Sequence, residues 1–192
     1  MKKIVLALLL VLFAVSAQAR EISAGTVKLS GATNASFFNT TLDVDGNEES
    51  DTDILNLETS AVYFLTNNIG VGATVAYEDE NTDFTGGGSQ EITTTMVGPT
   101  VALDVPLSEG LNFIADATVG YFKMEFDDGV DKIDVDGVAY GLSAGVAMFP
   151  AKYVSLNLTA DYQVLDGNDS VSDVDIKSTS LGANLGVSVY FD

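Results

Sequence analysis

Carboxylates are the most numerous ionisable groups in this 192-residue sequence. It holds 28 Asp and Glu against 8 Lys and Arg, a formal charge of −20. Two acidic stretches, 43–49 and 134–137, resemble fragments of calcium loops, but Glu48 stands where the EF-hand requires Gly. We therefore expect at most weak, diffuse binding of Ca²⁺ or Mg²⁺ on Asp43, Asp45, Glu48, Asp134 and Asp136. The alternative is that these are ordinary solvated surface loops.

Composition excludes several function classes. The sequence has no Cys and no His, so it cannot build a disulfide framework, a Cys/His zinc site, a thiol nucleophile or a Ser-His dyad. Its negative charge argues against a nucleic-acid partner, which requires a basic surface. Paired carboxylates are the remaining catalytic option, yet among so many acids such pairs occur by chance. We expect neither an enzyme nor a cofactor beyond the loosely bound divalent ions.

The first residues have the pattern of an export signal. Lys2 and Lys3 precede an apolar run over 4–15, and Ala17-Gln18-Ala19 supplies a small-x-small cleavage pattern. The run is too short for a membrane-spanning helix, which needs about 20 residues. We predict a secretory signal peptide at 1–19 and a single exported domain at 20–192.

The exported domain is dominated by alternation of apolar and polar residues. The clearest segments are 153–164 and 181–191, and six others follow the same period of two, so the domain is predicted to be all-β with eight strands. Short connections near 66–68, 106–110 and 149–152 alternate along the chain with long acidic stretches near 38–53, 78–91, 125–136 and 165–176. Strict alternation of short and long connections predicts an up-and-down meander with every acidic loop at one end.

The polar face of these strands indicates which side faces inward. It consists mainly of Gly, Ser, Thr, Asn and Ala, as at 70–76 and 139–147, which suits the cramped interior of an eight-stranded barrel. A water-facing exterior would be rich in charges of both signs. The apolar face carries tyrosines towards strand ends, as a membrane-interface girdle would: Tyr63, Tyr77, Tyr121, Tyr140 and Tyr162. The alternative is that these are ordinary strand aromatics.

Five charged residues fall on the inward-facing positions: Lys28, Glu58, Asp104, Asp116 and Asp161. Charges inside a barrel need partners, and one lysine cannot serve four acids. We expect a hydrogen-bonded polar plug with internal water; the alternative is a cation-selective pathway.

Two residues interrupt the strand pattern. Pro99 lies inside a strand, where its missing N–H predicts a bulge or a strand entry beside Gly98. Lys123 has the outward parity near the acidic end, so it either reaches a lipid phosphate or offsets Glu125 and Asp127.

The segments 98–107, 111–113, 119–121 and 187–191 resemble the small outer-membrane β-barrel family of Gram-negative bacteria, the OmpA/OmpX-type and opacity-protein-like barrels. The resemblance implies an eight-stranded antiparallel transmembrane barrel with short periplasmic turns and long acidic extracellular loops. It further implies a monomer in the outer membrane that contacts lipid and lipopolysaccharide and is inserted by the barrel assembly machinery. The family's last strand ends in an aromatic residue, whereas here Asp192 follows Phe191.

These motifs are architectural, so the expected function is general. We expect a structural or interaction role in which the acidic loops contact divalent cations, lipopolysaccharide or an adhesive partner whose identity the sequence does not encode. One alternative is a narrow channel for cations or small solutes. Another is a soluble exported lipocalin-like barrel that binds an apolar ligand. The acidity is also consistent with adaptation to a saline habitat.

Overall fold

The computed structural model describes residues 21–34, 42–44, 47–84, 88–127, 129, 132–169 and 175–192, so the predicted signal peptide at 1–19 lies outside it. Within these residues no helix is long and apolar enough to cross a membrane. The regular elements are strands, as the period of two predicts. Their bounds are β1 Val27–Asn34, β2 Leu42–Val44, β3 Asn47–Phe64, β4 Ile69–Phe84, β5 Ser89–Ser108, β6 Leu111–Asp127, β7 Lys132–Ala151, β8 Val154–Asp169 and β9 Asp175–Phe191.

The strands form a closed antiparallel ring. From β3 onwards each strand pairs with the next along the chain, and β1 pairs with both β9 and β3. The first and last strands meet at Val27, which is opposite Tyr63 on one side and Phe191 on the other. Because β1 and β2 both pair with β3, they occupy one position, and the ring has eight. The predicted eight-stranded up-and-down barrel is confirmed, and its closed sheet leaves no free edge.

The connections divide between two ends. At the turn end, β3–β4, β5–β6 and β7–β8 are joined through 65–68, 109–110 and 152–153. At the loop end, β4–β5, β6–β7 and β8–β9 are joined through 85–88, 128–131 and 170–174. The loop-end connections are shorter than predicted, because the strand pairing continues into the acidic stretches, as at Asp83 opposite Ser89. Many acids assigned to loops therefore lie on strands.

The two faces of the ring are the reverse of those of a water-soluble protein. Large apolar side chains such as Leu57, Val101 and Leu142 are about half exposed on the outside. Inside, the buried Thr100 hydroxyl forms hydrogen bonds with Thr74 at 2.7 Å and with Thr118 at 2.8 Å. An apolar exterior around a polar interior fits a lipid solvent. The lipocalin-like alternative is therefore wrong.

The bulge predicted at Pro99 is absent from the described strand. Pro99 lies opposite Ala73 in unbroken register, and the β5–β6 register is the same on either side of it. Gly98 makes this possible, because a Cβ there would lie 2.3 Å from the carbonyl oxygen of Val119 and 2.5 Å from the Cα of Gly120. Two glycines thus allow the backbones to approach closely beside the proline. The β5–β6 register shifts instead beside the turn, between Pro106 and Ser108.

Candidate functional site

A cluster of buried apolar side chains lies inside the barrel at the turn end. Its largest members are Phe64, Phe149 and Tyr190, and the Phe149 and Tyr190 rings lie 5.3 Å apart in a tilted arrangement. We call this cluster the turn-end seal; its members are Ile22, Val62, Phe64, Ala102, Ile114, Ala147, Phe149 and Tyr190. They come from β3, β5, β6, β7, β9 and the segment before β1, so they enter the interior from several sides.

Asp104 is buried beside this seal with its charge partnered. The Asn112 side-chain amide donates to one carboxylate oxygen at 2.6 Å, and the Tyr190 hydroxyl donates to the other at 2.9 Å. Two donors to the same carboxylate offset much of the cost of removing it from water. Asp104 is thus part of the buried structure at the turn end.

Above the seal is a cavity of about 680 Å³. Four of the five predicted inner charges line it: Lys28, Glu58, Asp116 and Asp161. The Lys28 Nζ lies 3.6 Å from Asp116, and Asp161 accepts hydrogen bonds from the Thr159 hydroxyl at 3.1 and 3.2 Å. Lys28 is the only lysine or arginine among the described lining residues. The polar plug and the cation pathway both remain predictions.

Two cavity residues were not predicted from the sequence. The high charge of 78–91 predicts a loop at Glu78, but Glu78 faces inward on β4 and accepts a hydrogen bond from the Asn56 amide at 2.6 Å. Extending the inward parity of 70–76 by two residues would have found it. Asn184, on β9, also lines the cavity. On the β5–β8 side, a second buried apolar cluster covers the loop-end interior: Met96, Phe122, Met124, Val135, Ala139 and Leu165.

The outer surface of the loop end is strongly acidic. We call its outward-facing carboxylates on the strand extensions the acidic rim: Asp79, Asp83, Glu91, Glu125, Asp127, Asp134, Asp136 and Asp166. Three lysines share this surface in the described strands: Lys123, Lys132 and Lys177. The rim therefore carries a large excess of negative charge.

Two of these lysines form ion pairs within the rim. Lys123 contacts Glu125 and lies 3.5 Å from Asp134, so it offsets Glu125 as one alternative predicted, but pairs with Asp134 rather than Asp127. The Asp127 partner is Lys132, at 2.6 Å. The hydrogen bond from Lys132 holds the pKa of Asp127 below its ordinary value, and the same contact raises the pKa of Lys132.

The predicted diffuse metal ligands are only partly visible. Asp45 and the side chains of Asp43 and Glu48 lie outside the described residues. Asp134 and Asp136 lie on the outward face of β7. Within the described residues no three carboxylates come close enough to hold one ion directly. Diffuse divalent binding stays a prediction.

The five predicted girdle tyrosines all face outward: Tyr63, Tyr77, Tyr121, Tyr140 and Tyr162. Tyr63 is at the turn end, and so is Tyr153, which the prediction omitted. Tyr153, just before β8, and Tyr162 are nine positions apart, a height of about 23 Å at the usual strand rise and tilt. The apolar band of such barrels is about 25 Å tall. The membrane-interface girdle remains a prediction, and this spacing is consistent with it.

Comparison with known proteins gives one family and several similar structures. The family model described as "Outer membrane protein beta-barrel domain" matches residues 5–191. No curated protein matches the chain. Neisserial surface protein A is 14% identical, with 88% of this chain and 98% of that chain covered and a TM-score of 0.60. OprG from Pseudomonas aeruginosa is 12% identical, with 89% and 98% covered and a TM-score of 0.55. Ail of Yersinia pestis, in complex with the heparin analogue sucrose octasulfate, is 15% identical, with 87% and 99% covered and a TM-score of 0.50.

Proposed function

Because this chain belongs to the outer-membrane β-barrel domain family, we propose that it has a structural and interaction role at the surface of the outer membrane. In this role the acidic rim binds divalent cations that bridge to phosphates of lipopolysaccharide. Residues 1–19 direct export as a signal peptide and are then cleaved; the chain is inserted by the barrel assembly machinery and oriented with the rim outside the cell. It acts as a monomer without a catalytic step.

The observation that carries this proposal is the position of the rim above the tyrosines. The Tyr77 hydroxyl donates to Asp79 at 2.9 Å, two residues further along the same strand. A tyrosine with its ring in lipid and its hydroxyl in water marks the level of the headgroups. The outward carboxylates above it therefore face the layer in which lipid phosphates lie.

Like charges at that level need a mobile counterion. The rim carboxylates and lipid phosphates are both negative, so direct contact between them is unfavourable. Ail is described in complex with a polysulfated sugar, but in this chain a polyanion requires bridging cations. Mg²⁺ and Ca²⁺ prefer oxygen ligands, and carboxylates and phosphates both supply them.

The channel alternative receives less support. A polar cavity with an excess of acids favours cations, but the buried seal of Phe64, Phe149 and Tyr190 stands between it and the turn end. Eight strands enclose an interior that side chains fill. We therefore propose that the barrel does not conduct.

The test compares two kinds of vesicle containing the barrel. One kind has an outer leaflet of phosphatidylcholine, and the other includes lipopolysaccharide in that leaflet. Thermal unfolding of the barrel is measured from its gel mobility, in the presence of millimolar Mg²⁺ or of EDTA. Mg²⁺ should raise the unfolding midpoint more in the lipopolysaccharide vesicles. A variant with Asp79, Asp134, Asp136 and Asp166 changed to Asn should lose that additional shift.

The matched control changes the cavity instead of the rim. Glu58→Gln removes one carboxylate without touching the outer surface, so the extra stabilisation by lipopolysaccharide should persist. If Mg²⁺ has the same effect in both kinds of vesicle, the bridging role is wrong.

A further inference from the structure

A groove of about 390 Å³ lies on the outer face of the barrel, between β5 and β6 near the loop end. Each of the two strands contributes three outward-facing side chains to its lining, which are Thr93, Thr95, Val97, Tyr121, Lys123 and Glu125. The side chains from β5 are short and those from β6 are long, so the groove follows β5. At roughly 30 Å³ for one water molecule, the groove has room for a small polar group.

Strand register orders these side chains into three levels along the groove. From the lowest level to the highest, which is nearest the loop end, the opposed pairs are Val97–Tyr121, Thr95–Lys123 and Thr93–Glu125. Neighbouring levels are about 5 Å apart along the barrel axis at the usual strand rise and tilt. Towards the loop end the groove therefore changes from apolar, through hydrogen-bond donors with a positive charge, to a negative charge.

The neighbouring strand β4 adds a second carboxylate at the highest level. Tyr77 lies opposite Thr95, and Asp79 lies opposite Thr93. The Tyr77 hydroxyl donates to Asp79 at 2.9 Å, which fixes this carboxylate beside the groove. Asp79 and Glu125 thus flank Thr93 from its two sides, and the highest level is strongly negative.

The membrane-interface girdle predicted for the tyrosines places this groove at the level of the lipid headgroups. Tyr77 and Tyr121 face outward on the two strands that flank β5, and such rings lie at the membrane–water interface. Below them, Val97 and Val101 are about half exposed on the outer face of β5, which contacts acyl chains. A lipid molecule aligned with β5 therefore has its chains along the valines and its headgroup in the groove.

The charges of the groove select among headgroups. Lys123 contacts Glu125 and lies 3.5 Å from Asp134, and the three side chains are about half exposed, so a headgroup can reach them. Asp136 lies opposite Lys123 on β7, outside the groove lining. A purely anionic headgroup would be repelled by these surrounding carboxylates. A zwitterionic headgroup with its phosphate next to its chains and its ammonium beyond can pair with both charges of the groove.

We propose that the groove binds one phosphatidylethanolamine molecule, with the phosphate at the level of Thr95 and Lys123 and the ammonium at the level of Asp79 and Glu125. The Thr95 hydroxyl and the Lys123 ammonium donate hydrogen bonds to the phosphate. The primary ammonium donates to the two carboxylates, whereas the quaternary ammonium of a choline headgroup has no N–H to donate. Because no divalent cation takes part, this proposal is independent of the bridging role proposed for the rim.

The experiment is native mass spectrometry of the folded full-length barrel in detergent. The barrel is equilibrated with equal amounts of phosphatidylethanolamine, phosphatidylcholine and phosphatidylglycerol that carry the same acyl chains. EDTA is present throughout, so that no divalent cation bridges lipid and protein. We expect the barrel to retain one phosphatidylethanolamine, with a preference of about 5-fold over each of the other two lipids, which is the upper range for one exposed ion pair.

The decisive variant exchanges the two charges of the groove. Lys123→Glu/Glu125→Lys keeps the net charge but reverses its order along the groove, so the preference for phosphatidylethanolamine should disappear. Thr95→Val removes one hydroxyl at nearly constant volume and should weaken retention about 2–5-fold. The matched control, Asp127→Lys/Lys132→Asp, exchanges the charges of a rim pair outside the groove lining and should keep the wild-type preference. Each variant is first shown to be folded by its unheated gel mobility.

Three results would overturn the proposal. They are equal retention of the three lipids by the wild type, an unchanged preference in the folded Lys123→Glu/Glu125→Lys variant, and loss of the preference only in the control variant. Lipopolysaccharide that carries phosphoethanolamine is then added as a competitor. If it displaces the phospholipid at equal concentration, the choice of phosphatidylethanolamine is wrong and the groove belongs to lipopolysaccharide. Bridging by Mg²⁺ is measured separately, in the vesicle experiment, and does not depend on these outcomes.

Discussion

The two ends of the barrel hold their carboxylates in opposite ways. At the turn end Asp104 is fully buried and accepts hydrogen bonds from Asn112 and Tyr190. At the loop end the rim carboxylates lie on exposed strand faces and greatly outnumber the three rim lysines. Burial requires a partner for each charge, whereas water tolerates an excess. We therefore expect the turn end to contribute more to stability, and we propose that the loop end contacts ions and surfaces.

The largest difference between the ends should come from truncating an aromatic side chain. Phe149→Ala removes a buried member of the turn-end seal and should cost about 3–5 kcal/mol of unfolding free energy. Phe84→Ala, at the loop end of β4, removes a side chain that is 45% exposed and should cost far less. Urea unfolding in lipid vesicles measures both. Equal losses would show that the seal is not a stabilising core.

The same hydroxyl deletion at each end compares two tyrosine–aspartate hydrogen bonds. Tyr190→Phe removes one donor to the buried Asp104 and should cost about 1–3 kcal/mol. Tyr77→Phe removes the exposed bond to Asp79 and should leave the unfolding free energy unchanged within error. The measurement is the urea midpoint of each variant, compared with that of the wild type at an unchanged dependence of the unfolding free energy on urea concentration. A larger effect at Tyr77 would reverse the assignment of the two ends.

Alanine substitutions at two inward-facing glycines compare how tightly the backbone is packed at two places in the barrel. A Cβ at Gly72 would lie 1.9 Å from the carbonyl oxygen of Ala61, so Gly72→Ala should cost about 1–3 kcal/mol through forced strand displacement. Gly182→Ala, at the cavity, meets nothing within 4 Å and should be tolerated. Thermal midpoints in detergent measure both changes. A destabilised Gly182→Ala would indicate that the cavity is filled.

The smallest effect concerns the exposed Asp127–Lys132 pair. Because the pKa of Asp127 is lowered, its contribution to stability is present above the ordinary Asp pKa and is lost as the pH falls through the lowered value. Lys132→Gln should return the pKa of Asp127 towards its ordinary value. Carboxyl NMR titration measures the change. An unchanged titration would mean that the pair does not persist in solution.

Alternation predicted the fold because each strand has two unlike faces, one in lipid and one in the lumen. The same parity predicted that Lys28, Glu58, Asp116 and Asp161 would point inward, where they line the cavity. Strand ends were predicted less well. High charge indicated loops, but paired strands in water tolerate charged side chains, so Glu78 and the rim acids lie on strands.

Contacts between distant strands could not be obtained from periodicity. The hydrogen bond from Tyr190 to Asp104 joins positions 86 residues apart. The buried amide oxygen of Asn184, which accepts no hydrogen bond from any described residue, likewise depends on the width of the ring. Continuous register at Pro99 follows from the local approach of Gly98 and Gly120, and a single strand's sequence does not reveal that pair.

Planar-bilayer recording of the purified wild-type barrel tests the central claim most directly, that the turn-end seal closes the lumen. The account predicts no reproducible conductance steps, because Phe64, Phe149 and Tyr190 fill the interior at the turn end. Reproducible cation-selective steps from the folded wild type would contradict it. They would make the acidic cavity part of a conducting pathway.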